Sequence, residues 1–200
     1  MASESEHIVG IFQRHARAWA ADRGDRLIER AWLDRFRDRA GPGAAVLDLG
    51  CGSGKPIARH LIEQGHSVTG VDSSPEMIAL CKESFPDQDW HVGDMRAFSL
   101  GRAFGGIVAW DIFFHLSHDD QRRMFPIFHR YAAPRGALMF TSGHYHGEIV
   151  GRLQGEPLYH ASLDATEYRA LLKRNGFEVI AHVAQDPTCG NRTIWLARCI

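Results

Sequence analysis

The sequence is poor in cysteine, has no long apolar run and carries no excess charge of either sign. Its four cysteines are widely spaced and form no CxxC pair, so we expect neither disulfides nor a zinc site, and a cytoplasmic location. No apolar run reaches the roughly 20 residues that span a membrane, and the segment Met1–His7 lacks the features of a secretory signal. Lys and Arg number 23 against 24 for Asp and Glu, a balance that offers no general attraction to nucleic acids or anionic membranes.

What is present is an alternation of short apolar runs and helical patterns along 200 residues, a length typical of one domain. The apolar runs predict five strands, at Ala44–Leu49, Ser67–Val71, Trp90–Val92, Ile107–Trp110 and Ala137–Thr141. Two further strands, Phe177–Val183 and Thr193–Ala197, share only a short connection and should therefore pair antiparallel. Strands that alternate with helices predict an α/β fold, in which a seven-stranded, mostly parallel, doubly wound sheet has helices on both faces.

Local patterns also predict where helices begin and where regular structure breaks. Apolar residues at helical spacing indicate a helix between Leu27 and Phe36, before the main domain. Pro126 falls inside a predicted helix and is expected to kink it or to cost it a hydrogen bond. Pro134–Gly136 is predicted to be a turn, and residues 143–163 show little regular pattern and are predicted to be a long, functional loop. The expected N-caps of later helices are Ser74, Ser117 and Asp164.

The strongest functional signal is a glycine-rich segment directly after the first predicted strand. Asp48 lies near the end of that strand, and glycines follow at alternating positions, Gly50, Gly52 and Gly54. Glycines let the backbone approach a ligand closely, and in open α/β sheets ligands bind beyond the carboxyl ends of the strands. The dinucleotide pattern G-x-G-x-x-G fails because Lys55 stands where the third glycine is required. This disfavours a dinucleotide oxidoreductase, and a carboxylate beside the loop suits an ammonium group better than a diphosphate.

The pattern D-x-G-x-G-x-G resembles motif I of the class I methyltransferases that use S-adenosylmethionine (SAM), and the order of later segments agrees over nearly the whole chain. The resemblance implies a Rossmann-like fold, SAM as cofactor with S-adenosylhomocysteine (SAH) as product, and in-line methyl transfer to a small-molecule acceptor. It also implies that the glycine loop passes under the methionine part of SAM and that Asp48 helps to hold its amino end. Residues 1–40 are expected to form a helical cap over the cofactor, and residues 41–200 the SAM-binding domain.

A second carboxylate, Asp72, ends the second predicted strand 24 residues after Asp48. A carboxylate at this place can accept hydrogen bonds from both hydroxyls of a ribose, and the resemblance implies that role. The resemblance further places Asp94 and Met95 at the adenine. The complete set of expected cofactor contacts is Asp48, Gly50, Cys51, Gly52, Gly54, Asp72, Ser73, Met77, Asp94, Met95, Arg96, Trp110, His115, Trp19 and Arg23.

Acceptor residues are expected in the segment after the fourth strand and in the predicted loop 143–163. The D/N-P-P-Y/F signature of the amide and adenine methylases is absent after that strand, which disfavours methylation of DNA bases or glutamine. Arg23 either pairs with the SAM carboxylate or is simply solvated. We predict no metal site, because no third ligand accompanies the two histidines of the loop at a supporting spacing. The candidate bases are His115, His144 and His146, and the candidate acceptor contacts are Asp111, His144, Tyr145 and Tyr159.

Two other functions remain open on the sequence. An aminopropyl transferase of the same fold uses a relative of SAM, and a nucleoside-binding or regulatory module would bind without turnover. The expected partner is a small-molecule acceptor, with no nucleic acid and no membrane, and the oligomeric state cannot be read from the sequence.

Overall fold

The structure is a computed structural model that describes residues 4–200, with side chains from His7 onward. The predicted cap, residues 1–40, therefore includes three residues that lie outside the described range. The helices are α1 (Glu4–Arg23), α2 (Arg30–Ala40), α3 (Ile57–Glu63), α4 (Pro75–Ser84), α5 (His118–Tyr131) and α6 (Ala165–Arg174). The strands are β1 (Val46–Leu49), β2 (Val68–Asp72), β3 (Asp89–Val92), β4 (Phe104–Ala109), β5 (Ala132–Ser142), β6 (Gly147–Leu153), β7 (Glu156–Ser162), β8 (Phe177–Asp186) and β9 (Arg192–Cys199).

Seven strands form one sheet in the order β3-β2-β1-β4-β5-β9-β8. The strands β3, β2, β1, β4 and β5 pair in parallel, whereas β9 is antiparallel to both of its neighbours. The predicted α/β class, the strand number and the antiparallel C-terminal strand are confirmed. Among residues 4–200, every helix is too short or too polar to cross a lipid bilayer.

Helices cover both faces of this sheet, and the short strand β1 shows how. Leu47 and Leu49 pack in one cluster with residues of α5 and α6, whereas Val46 packs in another with residues of α2, α3 and α4. Successive side chains of a strand point to opposite faces, so a run of buried residues serves both layers at once. Burial on both faces of the sheet explains why the predicted strands are apolar at nearly every position.

Three of the predicted helix starts are confirmed in atomic detail. The side chains of Ser74, Ser117 and Asp164 accept hydrogen bonds from the backbone N–H groups of Met77, Asp120 and Glu167. The helix α5 continues through Pro126, which is exposed. The ring therefore meets solvent, and the helix lacks the hydrogen bond that proline cannot donate.

Three predictions of local structure are wrong. The helix predicted from Leu27 begins only at Arg30. Pro134–Gly136 lies within β5, because that strand begins at Ala132 and takes up the predicted turn as a bulge opposite β4. The segment predicted to be a loop, 143–163, contains the antiparallel hairpin of β6 and β7, whose strands pair from Gly147–Ser162 to Leu153–Glu156.

The hairpin is joined by Gln154 and Gly155, both with positive φ, as the tight hairpin turns require. Its strand β7 packs on α1, where Leu158, Tyr159 and Ala161 form a cluster with Ile8 and Ile11 of the helix. This second layer lies against the carboxyl-end rim of the main sheet, so α1 and the hairpin together enclose the site described next.

Candidate cofactor and acceptor sites

The glycine loop after β1 is tied to the end of β2. The backbone N–H groups of Gly50 and Cys51 donate to the carbonyl oxygen of Val71, at 2.7 and 3.2 Å. Gly50 has a φ of 71°, a left-handed conformation that favours glycine. A Cβ atom at Gly50 would lie 2.3 Å from Cγ1 of Ile112, so both the backbone and its neighbour require glycine here.

Gly50→Ala is therefore expected to lower the free energy of unfolding by about 2–4 kcal/mol, the sum of left-handed strain and displacement of Ile112. Gly65→Ala is the matched control, because Gly65 also has a positive φ but has no atom within 4 Å of its would-be Cβ. It should cost only about 1–2 kcal/mol of strain. Urea unfolding of both variants measures the difference. Equal losses of unfolding free energy would show that the contact with Ile112 contributes nothing to the effect.

The carboxylate of Asp72 is held by two backbone donors. Its Oδ2 accepts from the N–H of Gly52 and its Oδ1 from the N–H of Ser74, both at 2.9 Å. Burial raises the pKa of Asp72, and these two hydrogen bonds partly offset the rise. Each oxygen keeps a further lone pair for a ligand, so the carboxylate is fixed in place with accepting capacity left.

Asp48 is the more unusual of the two carboxylates. It is 3% exposed, and no donor among the described residues reaches its oxygens; burial and then the charge of Asp72 raise its pKa to about 7. Asp48 and Asp72 nevertheless line one cavity. A buried carboxylate costs free energy unless a cation or donors accompany it, so Asp48 marks a place for a positively charged ligand group.

Two small cavities lie along the rim, with volumes of about 70 and 60 Å³. Both are lined by Gly50, Asp72, Ser73, Ile112 and Ile8 of α1. Ligand pockets usually have volumes of about 300–1,000 Å³. A ligand of adenosyl size therefore requires the side chains that α1 places over the rim to move outward.

The cavity of about 70 Å³ is called here the methionine-side cavity. Most of the residues that are predicted to contact the methionine part of SAM line it. Trp110 also lines this cavity, and its indole Nε1 is buried with no hydrogen-bond partner among the described residues. Buried N–H groups normally have an acceptor, so this donor suits a ligand oxygen. The predicted residues that line this cavity are Trp19, Arg23, Asp48, Gly50, Cys51, Gly52, Asp72, Ser73, Met77 and Trp110. Gly54 lies outside it, against Phe85 and Cys81.

The other small cavity, the adenine-side cavity, contains Asp94, Met95 and Arg96. Burial raises the pKa of Asp94, but hydrogen bonds from Arg96 outweigh this effect and lower it. Arg96 also donates to Asp120 at 2.7 Å. Because its guanidinium already has two carboxylate partners, Arg96 holds the loop after β3 against α5.

A much larger cavity, the acceptor cavity, opens beside the rim with a volume of about 550 Å³. Of the predicted acceptor contacts, Asp111, His144 and Tyr145 line it. Tyr159 does not, since its hydroxyl donates to Glu148 and its ring packs in the cluster with α1. Sequence reasoning missed Phe114, Ser142, Ile149, Leu158, His160 and Arg192, of which three lie on the unpredicted hairpin.

His115 borders both the acceptor cavity and the adenine-side cavity. Its Nδ1 lies 2.8 Å from the carbonyl oxygen of Tyr159, so Nδ1 carries the proton and Nε2 is an acceptor. Burial lowers the pKa of His115 to about 4, and the hydrogen bond to Tyr159 opposes this only partly. The ring is thus neutral at physiological pH, with a lone pair available between the cavities.

Comparison with known proteins agrees with this geometry. Residues 46–136, which run from β1 into β5, match the family model for a methyltransferase domain. Over these residues the chain is similar to methyltransferase domains. This confirms the resemblance seen in the glycine loop.

Two amino-sugar methyltransferases are among the similar proteins. The chain is 41% identical over 81 residues to a dTDP-3-amino-3,6-dideoxy-alpha-D-glucopyranose N,N-dimethyltransferase of Streptomyces fradiae. That match covers 40% of this chain and 31% of the relative, so the chain matches about a third of the relative's length. A dTDP-4-amino-2,3,4,6-tetradeoxy-D-glucose N,N-dimethyltransferase of Saccharopolyspora spinosa is 24% identical over 89% of this chain and 71% of its own length.

A solved structure shows the same fold over nearly the whole chain. It is the SAM-bound amino pentose methyltransferase of Micromonospora echinaspora, with a TM-score of 0.71 at 23% identity. The alignment covers 94% of this chain and 98% of the other. At this identity the likeness establishes the fold.

Two charged residues of this methyltransferase fold already have partners. Arg23 forms an ion pair with Glu29 and donates to the carbonyl oxygen of Arg26. Asp111 accepts bonds from Nε of Arg192 at 2.9 Å and from its second nitrogen at 2.6 Å. Both residues line the acceptor cavity, but neither presents an unbalanced charge to it.

His146 lies outside the acceptor cavity, stacked on His118 with ring centroids 4.5 Å apart. Candidate ligand atoms of His146, Asp164 and Glu167 lie within 4.8 Å of one another, a group that does not include His144. Both carboxylates have partners, however: Asp164 caps α6 and Glu167 pairs with Arg122. The absence of a metal therefore stays a prediction.

Proposed function

We propose that the protein binds SAM across the rim and transfers its methyl group to a small molecule in the cytoplasm. The observation that carries the proposal is the buried carboxylate of Asp48, which has no donor among the described residues and lines one cavity with the ordered carboxylate of Asp72. Asp48 would hold the amino group of SAM and Asp72 the ribose hydroxyls. Trp110 Nε1 is a donor for the carboxylate, and Asp94 and Met95 border the adenine.

The residues fit this cofactor in charge as well as in position. SAM carries an ammonium group, a ribose diol and a carboxylate. In the part of the chain that the structure describes, the rim offers a carboxylate without a partner, a second with accepting capacity and an N–H without an acceptor. When bound, SAM supplies a methyl group on a sulfonium, which is already a strong electrophile. Much of the catalysis then lies in holding the acceptor in line and in removing its proton.

We propose that His115 takes that proton. The acceptor's heteroatom gains the methyl group and loses its hydrogen to Nε2, while SAH leaves as a neutral thioether. The Nδ1–H bond to Tyr159 keeps the ring in the tautomer that this step needs. His144, which also lines the cavity, is exposed and lacks a buried hydrogen bond of this kind among the described residues.

His115→Gln is expected to lower kcat about 10²-fold, since general base catalysis contributes about 10²–10⁴-fold, while SAH affinity changes less than about threefold. His146→Gln is the matched control, because His146 lies outside the acceptor cavity, and it should keep wild-type turnover. Steady-state kinetics with the acceptor that the label assay below identifies, together with SAH titration, separates the two effects. Equal losses of kcat in both variants would contradict the assignment.

A small-molecule acceptor is supported by the named substrates of the relatives, which are amino sugars. The balanced charge of the chain, 23 basic against 24 acidic residues, gives no reason to expect nucleic acid or membrane as a partner. The aminopropyl-transferase alternative loses support, because Asp111, its candidate polyamine contact, is ion-paired with Arg192.

Incubation with methyl-labelled SAM and a panel of small metabolites tests the proposal. Label in a small-molecule product supports methyl transfer. Micromolar SAH binding without any transfer favours a non-catalytic module, and failure to bind SAH contradicts the proposal itself.

A further inference from the structure

The fixed charges of the acceptor cavity cancel in pairs. Its two arginines, Arg23 and Arg192, are ion-paired with Glu29 and Asp111. Arg23 also donates to the carbonyl oxygen of Arg26, and Arg192 to that of Cys189 at 3.3 Å. No lysine lines the cavity within the part of the chain that the structure describes. An anionic acceptor such as a diphosphate or a carboxylate would have to break one of these pairs, and a cationic amine would find no free carboxylate.

The other titratable groups of the lining are three imidazoles and the phenol of Tyr145. Burial lowers the pKa values of His115 and His160, so both rings are neutral at physiological pH. His144 lies in the exposed part of the lining. The inner part of the cavity thus carries no net charge at neutral pH.

The walls next to His115 are flat rings. The ring of His160 lies 4.8 Å from His115 at an interplanar angle of 31°, and 5.2 Å from Phe114. Phe12 lies 5.5 Å from His115 and 6.1 Å from Trp19, in edge-on arrangements. Aromatic faces and edges prefer other rings as partners and supply large apolar contact areas.

We propose that the acceptor is an uncharged, flat aromatic or heteroaromatic molecule that carries the methylated N–H or O–H group next to His115. This inference rests on the proposed function and names the substrate class of the same site. The ring stacks among Phe114, His160 and Tyr145, and its N–H or O–H points to Nε2 of His115. The volume of about 550 Å³ lies within the range of small-molecule pockets, about 300–1,000 Å³.

Thermal unfolding of the SAH-saturated protein at pH 7 tests the class with named probes. Lumazine and quinolin-2-one are uncharged bicyclic probes, whereas thymidine diphosphate and citrate are anions and spermidine is a polycation. We expect each uncharged probe, at ten times its Kd, to raise Tm by about 3 °C or more, and the charged probes to leave it unchanged. Stabilisation by a charged probe, or by none of the five, overturns the proposal.

A pair of exposed residues on β6 sharpens the test. Ile149 lines the acceptor cavity, whereas Val150 next to it does not, and the two are 53% and 55% exposed. Ile149→Arg adds an unpaired cation to the cavity, so it should confer stabilisation by thymidine diphosphate and weaken lumazine about tenfold. Val150→Arg should do neither, and identical behaviour of the two variants contradicts the proposal.

The Tm shift that SAH alone produces distinguishes failure of the proposed acceptor class from failure of the proposed function. If SAH raises the Tm of the wild-type protein but the probes behave otherwise than expected, the acceptor class is wrong and the cofactor site stands. If SAH itself has no effect on Tm, the proposed function fails.

Discussion

Asp72→Asn is expected to weaken SAH binding about 10³-fold, the largest effect of any single change at the rim. Two ribose hydroxyls would lose a charged acceptor, and each such hydrogen bond is worth about 1.5–3 kcal/mol. The amide also cannot accept from both Gly52 and Ser74, as the carboxylate does, so the glycine loop becomes less ordered. Isothermal titration calorimetry with SAH measures the loss.

5′-Methylthioadenosine distinguishes the ribose role from a general disturbance. It keeps the adenosine and lacks the amino acid, so Asp72→Asn should weaken it about as much as SAH. Asp87→Asn makes the same chemical change at an exposed position before β3, away from the rim, and should alter neither affinity. Undiminished binding of either ligand by Asp72→Asn, with a wild-type Tm, would remove Asp72 from the ribose site.

Asp48→Asn is expected to weaken SAH about 10²-fold, the loss of one buried hydrogen-bonded charge pair of roughly 3 kcal/mol. 5′-Methylthioadenosine should be almost unaffected, because it has no amino group for Asp48 to hold. The two carboxylates thus have different signatures: Asp72 acts on both ligands and Asp48 on one. Equal effects of Asp48→Asn on the two ligands would contradict its assignment to the amino end.

The raised pKa of Asp48 makes this interaction depend on pH. An amino group that binds as ammonium needs the ionised carboxylate, and the pKa of Asp48 in the free protein is about 7. Wild-type affinity for SAH should therefore fall by up to about tenfold per pH unit below pH 7. The profile of Asp48→Asn should be flatter over the same range.

The same pKa also sets a cost in stability. The folded protein binds the proton of the Asp48 carboxyl more tightly than the unfolded chain does. The stability gained from this proton is therefore complete below about pH 4 and is lost as pH rises through 7. At pH 8, without ligand, Asp48→Asn should be more stable than wild type by about 4 kcal/mol, and the difference should vanish near pH 4. Urea unfolding at the two pH values measures this, and a variant less stable at pH 8 would show that Asp48 has a structural partner.

The rim was predictable because its signals are local. The spacing of Gly50, Gly52 and Gly54 after a strand, and the aspartates at the carboxyl ends of two strands, are properties of short segments. Parallel strands bring their carboxyl ends to one edge, so the order of strands alone places Asp48 and Asp72 close together. The lack of a hydrogen-bond donor for Asp48 among the described residues was not predictable, because it depends on all the side chains that pack around this carboxylate in the fold.

Most of the acceptor cavity could not be predicted from the sequence, because its lining is formed by contacts between residues far apart along the chain. The pair of Asp111 and Arg192 joins positions 81 residues apart, and no pattern in either segment indicates it. His160 lines the cavity because it lies on β7, in the hairpin that the sequence analysis did not predict. The turn of that hairpin, Gln154–Gly155, lacks the usual Asn-Gly or Asp-Gly signal. Of the histidines in segment 143–163, the sequence pointed to His144 and His146, and only the fold of the hairpin shows that His160 lines the cavity whereas His146 does not.

Helix α1 connects the two sites. Phe12 and Trp19 line both the methionine-side cavity and the acceptor cavity, so the outward movement that admits SAM also reshapes the place of the acceptor.

A crystal structure of the wild-type protein with SAH tests the central claim most directly. The account predicts SAH along the rim, with its ribose hydroxyls on Asp72, its amino group within hydrogen-bond distance of Asp48 and Ile8 moved outward. SAH bound elsewhere, or along the rim with its amino group far from Asp48, would contradict it.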